Sequence, residues 1–493
     1  MGIAKSQPLK TIYFPNIDEH EPLTPLGLAT SLTSENTYEA TVEGTIPADL
    51  RGVLYRNGPG LFDRDGLRKR NILDGDGMIQ AFKFHENVVT YQNKYIKTKK
   101  YLDENEKGKF IYPTWTTQAP GGLLSNFMGG KIRSQACITV IYRNNTLYAF
   151  DDGLEPYEVN PDTLETVGET NLNLPKEYPA EYNAHWKVDG ENGDWILLSG
   201  PTSDLQIIII GVDGKVKKRT RVKGTRDVYI HDFFATEHYI ILNLHPAYYS
   251  YKNFLLGRKS LTESLTWKPE DGNLLLVVNR EEDTKPVSLI TEASWMWHSL
   301  NAYEIGDNII AEFVGYDHPD HMIGETSSFY AIMGGDLKRN EHTGEVKRYI
   351  INLQSRKVKQ ETVDYGNHEF PTVNPVHQCH QHRYGYFAVS RNPTDIFWNS
   401  IKRIDMKFGK PVSYDFEKGL YCTEPVFAPK PGYKYNHDSK DEPGYILTEV
   451  YDSVKKKSFL AVLEAENILE GPIAKIHLKH HVPFSHHGYW RPL

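Results

Sequence analysis

Short apolar runs bounded by turn residues recur along most of this chain, and they constrain its fold more than any other feature. The run 205–211, Leu-Gln-Ile-Ile-Ile-Ile-Gly, leads straight into Val-Asp-Gly214, a hairpin turn signal. Comparable runs stand at 195–199, 239–243, 273–278, 308–313, 384–389, 444–450 and 459–463, separated by Asp-Gly, Asn-Gly, Pro-Gly and Gly-Asp pairs. The 38 glycines and 28 prolines supply tight connections for many strands. Helical patterning of three turns or more is confined to pieces near 120–130 and 253–266. Such a pattern specifies an all-β chain built as a sandwich, barrel or propeller. A length of 493 residues favours the propeller, whose radial blades point inner-strand side chains at one axis. No Pro/Gly/Ser-rich linker divides the sequence, so 1–493 reads as a single domain. Repeat similarity is too weak to count blades from periodicity.

Four histidines stand in short, distinctive contexts: Asn-Ala-His185-Trp, Tyr-Ile-His231-Asp-Phe, Met-Trp-His298-Ser-Leu-Asn-Ala and Ser-His-His487-Gly-Tyr-Trp. Separations of 46, 67 and 189 residues rule out a shared helix or hairpin. An axial site in a propeller would gather them. Imidazole is a good ligand for iron, copper, zinc or nickel. Four neutral imidazoles leave the metal's full charge uncompensated, which suits a metal that also binds a small ligand.

Bulk composition narrows the classes of partner. Lysine plus arginine total 56 against 64 acidic residues, a formal charge of −8, which argues against a general nucleic-acid binder. Three cysteines, Cys137, Cys379 and Cys422, are too few for a disulfide framework and fit a reducing compartment. No run approaches the roughly 18 apolar residues of a membrane span. The start, Met1-Gly-Ile-Ala-Lys-Ser6, lacks the apolar core of a secretory signal, although it matches the loose myristoylation pattern at Gly2. The expectation is a cytoplasmic protein.

Seven stretches, taken in order, resemble the carotenoid cleavage oxygenase family over nearly the whole chain. They are Gly52-Val-Leu-Tyr-Arg-Asn-Gly-Pro-Gly60, Asp74-Gly-Asp-Gly-Met78, His231-Asp-Phe, His298-Ser-Leu-Asn-Ala302, Glu369-Phe-Pro, Thr423-Glu-Pro-Val-Phe-Ala-Pro-Lys-Pro-Gly432 and His487-Gly-Tyr-Trp490. The resemblance implies a seven-bladed β-propeller under a dome of loops and short helices. It implies non-heme Fe(II) held by His185, His231, His298 and His487, with His487 rather than its neighbour His486 as the ligand. It also implies oxidative cleavage of a conjugated alkene by O2 to two carbonyl products. Acidic residues that hydrogen-bond the far nitrogens of ligand histidines map to Glu369 and Glu424. The third such motif, Glu-Gly-Gly-x-Pro-Tyr in the family, reads Asp152-Gly-Leu-Glu-Pro-Tyr157 here. Asp152 is one methylene shorter than the glutamate it replaces, so either the backbone moves in or a water fills the gap; Glu155 is offset wrongly.

Other motifs have plainer readings. His377, His380 and His382 form His-x-x-His-x-His, expected to be an ordinary strand or loop. His480 and His481 read as part of a solvated terminal strand. In Asp74-Gly-Asp-Gly-Met78 the glycines are expected to turn tightly, with the aspartates bonding local backbone; an EF-hand is excluded by length. Arg68-Lys-Arg70 reads as a solvated loop. The uncharged stretch 120–130 carries Leu123, Leu124, Phe127 and Met128, and is either core or an apolar patch that contacts a membrane peripherally at a tunnel mouth.

Substrate preference is read from three positions. Stilbene-cleaving relatives use a Phe, a Tyr and a Lys near the metal; here Leu73, Trp115 and Asp151 align with them. A buried carboxylate would repel a phenolate, so an apolar carotenoid or apocarotenoid is expected as the partner of O2. Leu73, Trp115, Phe127, Trp295 and Trp297 are the candidates for the tunnel wall. Trp297, next to a ligand on a strand, should point away from the metal and share Trp295's face. No general base is assigned. Stilbene-type cleavage and a retinoid-type isomerase on the same scaffold are the alternatives for the activity.

Overall fold

The computed structural model describes residues 14, 16–223, 226–319, 321, 327–435 and 442–493; the Gly2 pattern lies outside them. Seven antiparallel sheets make seven blades of a β-propeller. All eight apolar runs read from the sequence lie on strands, for instance Trp195–Ser199, Asp204–Ile210 and Gly444–Asp452. The Asp213-Gly214 turn forms at the foreseen hairpin, Gly214 taking a left-handed φ of +78° that favours glycine.

Burial follows position in the blade. Gly444–Asp452, enclosed by neighbouring blades, is buried at every residue. The outermost strand Val216–Lys223 alternates half-buried and exposed side chains, and its lysines and arginines blunt an open edge. The ring is closed by its own ends. Strand His487–Pro492 pairs with Gly52–Leu61, Asn57 opposite His487 and Gly52 opposite Pro492, so the last strand completes the first blade.

That seam explains the 52–60 motif. A Cβ on Gly58 would come within 2.6 Å of Ser485 Cα, so only glycine lets the two segments approach. Asn57 Nδ2 donates to the carbonyls of Ala136 and Thr139, tying the seam to the next blade. Arg56 is fully buried, and its guanidinium meets Glu424 at 2.7 Å and Glu449 at 3.4 Å.

Long connections roof one face. Connections between blades carry the helices Lys99–Lys107 and Leu123–Asn126, and long loops within a blade carry Tyr251–Leu255 and Ser328–Ala331. Lys99–Lys107, the longest, was not foreseen. Its start is capped by the Thr98 side chain, and its end by Gly108 in the left-handed region. No helix among the described residues is long and apolar enough to cross a membrane.

Candidate metal centre

Each blade delivers one residue to the axis. In ring order these are His487, Asp152, His185, His231, His298, Glu369 and Glu424, each on or beside a strand of a different sheet. The propeller thus brings together the four histidines and three carboxylates named from the sequence.

The imidazoles converge. His185 Nε2 and His231 Nε2 stand 3.0 Å apart. Ring centroids are 4.7 Å apart for His185–His487 and for His298–His487, and 5.0 Å for His185–His298. Single ring nitrogens of His185, His298 and His487 all fall within 4.8 Å of one another. The far nitrogens are engaged elsewhere. His231 Nδ1 meets Asp152 Oδ2 at 2.7 Å, His298 Nδ1 meets Glu369 Oε2 at 2.5 Å, and His487 Nδ1 meets Glu424 Oε1 at 2.7 Å. Each carboxylate fixes the ring proton on Nδ1, so the Nε2 lone pairs face inward. At 3.0 Å the His185 and His231 nitrogens are close enough to share a proton or a metal ion. Two nitrogens bound to one metal at roughly 2.1 Å and at a right angle stand roughly 3 Å apart. The donor set therefore fits a metal ion.

Electrostatics separate the pairs. Burial, reinforced by the neighbouring imidazoles, holds His185 and His487 well below the usual histidine range. Burial also lowers His298, but Glu369 outweighs it and the net shift is upward. For Glu369 burial raises and His298 lowers, and the net is downward. Burial pushes Glu424 up to about 7 despite Arg56.

Two cavities meet at the histidines. One, about 90 Å³ and mostly apolar, is roofed by Leu73, Trp115 and Phe329 and touches His231, His298 and His487. The other, about 320 Å³ and more polar, lies against His185, His298 and His487 and includes Lys187, Asp232 and Gln378. Leu73, Trp115 and Asp151 line the apolar cavity. The Asp151 carboxyl is pushed up to about 6 by burial, although it accepts from Gln135 N, Asp152 N and Trp115 Nε1.

Several expectations need correction. Trp297 lines the apolar cavity beside His298, and Trp295 does not. The ladder of Trp295–Ile305 is irregular between Met296 and Ser299, so strict alternation fails there. Trp295 lies behind, stacked on Tyr229. Phe127 is no tunnel residue: it is 57% exposed on the outside, beside Leu124 at 92% and Met128 at 62%. The gap at Asp152 is closed by direct contact with His231, and the Tyr229 hydroxyl joins the same oxygen. Asp74 accepts from the hydroxyls of Thr114, Thr116 and Thr117 rather than from local backbone, and Asp76 pairs with Arg64 and Lys100. Arg68 and Lys69 are buried; Arg68 pairs with Asp63, and Lys69 lies over Phe110. His481 is buried, with Nε2 3.1 Å from the Thr30 carbonyl, and His480 packs on Tyr38 and Tyr91.

Sequence reading missed Arg56 and Tyr229. Arg56 had a signal, an arginine inside an apolar strand motif. Tyr229, two residues before His231, had only strand alternation to place it on the ligand's face.

A family model described as retinal pigment epithelial membrane protein matches residues 29–492. The apocarotenoid-15,15'-oxygenase of Synechocystis sp. is 27% identical over 462 residues, spanning 91% of this chain and 92% of that protein. The isoeugenol monooxygenase of Pseudomonas nitroreducens is 25% identical, spanning 92% and 95%. The lignostilbene-alpha,beta-dioxygenase isozyme III of Sphingomonas paucimobilis is also 25% identical, spanning 91% and 92%. Among solved structures, a mutant of the Synechocystis apocarotenoid oxygenase superimposes with a TM-score of 0.88 at 27% identity, covering 95% of this chain and 98% of that one. A cobalt-substituted form of that oxygenase also gives 0.88, at 26% identity.

Proposed function

We propose that this chain, which belongs to the family described as retinal pigment epithelial membrane protein, is an Fe²⁺-dependent dioxygenase that cleaves a conjugated C=C bond of an apolar carotenoid or apocarotenoid. The observation that carries this reading is the meeting of four imidazoles, three of which line an apolar cavity. His185, His231, His298 and His487 would hold the ion, and Asp152, Glu369 and Glu424 would keep three of them in the ligating tautomer. Four nitrogen donors would leave the ion room to bind a small ligand. When bound, Fe²⁺ supplies the activation of O2.

The chain's own residues bind, orient and exclude water. Leu73, Trp297 and Phe370 give the cavity an apolar wall that sets which double bond lies nearest the histidines. No proton needs to move in the overall change: one C=C and one O2 become two C=O groups. Cleavage of an apocarotenoid by a Synechocystis relative supports the substrate class. Asp151 occupies the place of the lysine used on phenols, which disfavours a phenolate end.

An apolar substrate must be collected. Leu123, Leu124, Phe127 and Met128 are exposed together on one short helical segment, and we read them as a contact with a lipid surface. Leu124→Asp/Phe127→Asp should cut co-flotation with liposomes several-fold; parent-like flotation would sink this part. The activity is tested by incubating iron-loaded protein under ¹⁸O2 with apocarotenals, carotenes, resveratrol and isoeugenol, with mass spectrometry of products. Two labelled carbonyl fragments from an apocarotenal are expected. Turnover of the aryl alkenes alone would move the substrate class, and an unlabelled isomer would replace cleavage by isomerisation.

A further inference from the structure

We infer that Tyr229 completes a carboxylate that is one methylene short, so that Tyr229 and Asp152 together orient His231. The inference rests on the four histidines forming a metal site. Asp152 has the shortest arm of the three carboxylates, yet it reaches His231 Nδ1 at 2.7 Å, the distance at which Glu424 reaches His487. The Tyr229 hydroxyl donates to that same oxygen, Asp152 Oδ2, at 2.5 Å and stands 3.0 Å from His231 Nδ1. Asp152 Oδ1 accepts from Ala184 N at 3.0 Å, so the carboxylate is held from both sides.

The other two carboxylates are supported differently. Tyr316 donates to Glu369 Oε1, whereas His298 uses Oε2. Arg56 holds Glu424 Oε2, whereas His487 uses Oε1. At Asp152 alone among these three, a neighbouring side chain shares the histidine's own oxygen; at Glu369 the sharer is the Phe370 backbone N–H. Tyr229 is rigid enough to serve. Its ring stacks on fully buried Trp295 at 5.7 Å and 8°, and lies nearly parallel to His231 at 22°. Trp297 also stands edge-on to His231 at 5.0 Å. The hydroxyl fixes the direction of the Asp152 carboxylate and draws on its charge, and through it sets how strongly His231 donates to a metal. Tyr229 is therefore a positioning residue.

The two residues are coupled by space. A glutamate at 152 would extend the arm by about 1.5 Å into a gap that the hydroxyl already closes. Asp152→Glu should do harm while the hydroxyl is present and become tolerable once it is gone.

The test is Co²⁺ titration of metal-free protein, reading affinity and the visible cobalt spectrum, for Tyr229→Phe, Asp152→Glu and the double variant. Metal-free melting curves verify the fold, and Tyr229→Phe keeps the stacked ring. Tyr229→Phe should weaken binding roughly 10-fold and shift the cobalt bands, as loss of a ligand's support does elsewhere. Asp152→Glu should weaken it by a similar factor, and Asp152→Glu/Tyr229→Phe should return to within about 3-fold of the parent, a non-additivity expected only of coupled residues. Parent-like affinity and spectrum in Tyr229→Phe, or an Asp152→Glu penalty unchanged by removing the hydroxyl, would overturn the assignment alone. A parent protein that takes up no Co²⁺ would overturn the metal reading and this assignment with it.

Discussion

Two groups of buried histidines occupy this propeller, and they differ in what their nitrogens face. His185, His231, His298 and His487 turn nitrogens toward one another. His377, His380 and His382 cluster more tightly in sequence, yet each turns to its own protein partner. His380 Nε2 pairs with Asp189 at 2.8 Å, His382 Nε2 faces Glu312 at 3.1 Å, and His377 Nε2 meets the Tyr433 hydroxyl at 3.2 Å. Asn301 pins the loop that carries them, donating to the carbonyls of His377 and His380. Both groups are buried and both include His–carboxylate pairs. Those properties therefore do not mark a metal site. What sets the first group apart is that its ring nitrogens face one another as a donor set that a metal ion can occupy.

The contrast is broken most sharply by deleting one member of each group. His298→Ala should abolish bound metal and cleavage together while the metal-free fold survives, checked by metal analysis and circular dichroism. Retained stoichiometric metal would erase the distinction. Glu369→Gln should weaken metal binding by roughly 10- to 100-fold, since it removes the charge opposite His298 and keeps the shape. His380→Ala should leave metal content untouched and cost about 1–3 kcal/mol in urea unfolding, the range for a buried partner left unsatisfied.

The smallest effect is a pH dependence. Burial lowers the His380 pKa, but Asp189 outweighs it and the folded value is raised. A raised folded value means the stabilisation is full below the unfolded value of about 6.5 and is lost as pH rises through the folded one. The stability gap between parent and His380→Ala should accordingly be wider at pH 5.5 than at pH 8.5. A gap that widens with pH would contradict the ionic reading of this pair.

The sequence carried the strands because apolar runs end at turn residues, and it carried the seven axial positions because each sits in a recognisable local context. It could not carry what depends on other chain segments. Trp297 faces the cavity because the ladder is irregular beside Met296, and bulges leave no reliable mark in composition. Asp74 found three threonine hydroxyls from the 114–117 loop, some 40 residues on. Lys69 and Arg68 read as solvated because charged residues usually are. Here the roofing segments bury them against Phe110 and Asp63. For Phe127 the stretch without charge left core and exposed patch both open, and only the folded chain places it outside.

The central claim is most directly tested by anomalous diffraction at the iron edge from crystals grown with Fe²⁺. One peak is predicted, at bonding distance from Nε2 of His185, His231, His298 and His487. Density for iron beside His377, His380 and His382 instead, or no peak among the four converging rings, would contradict it.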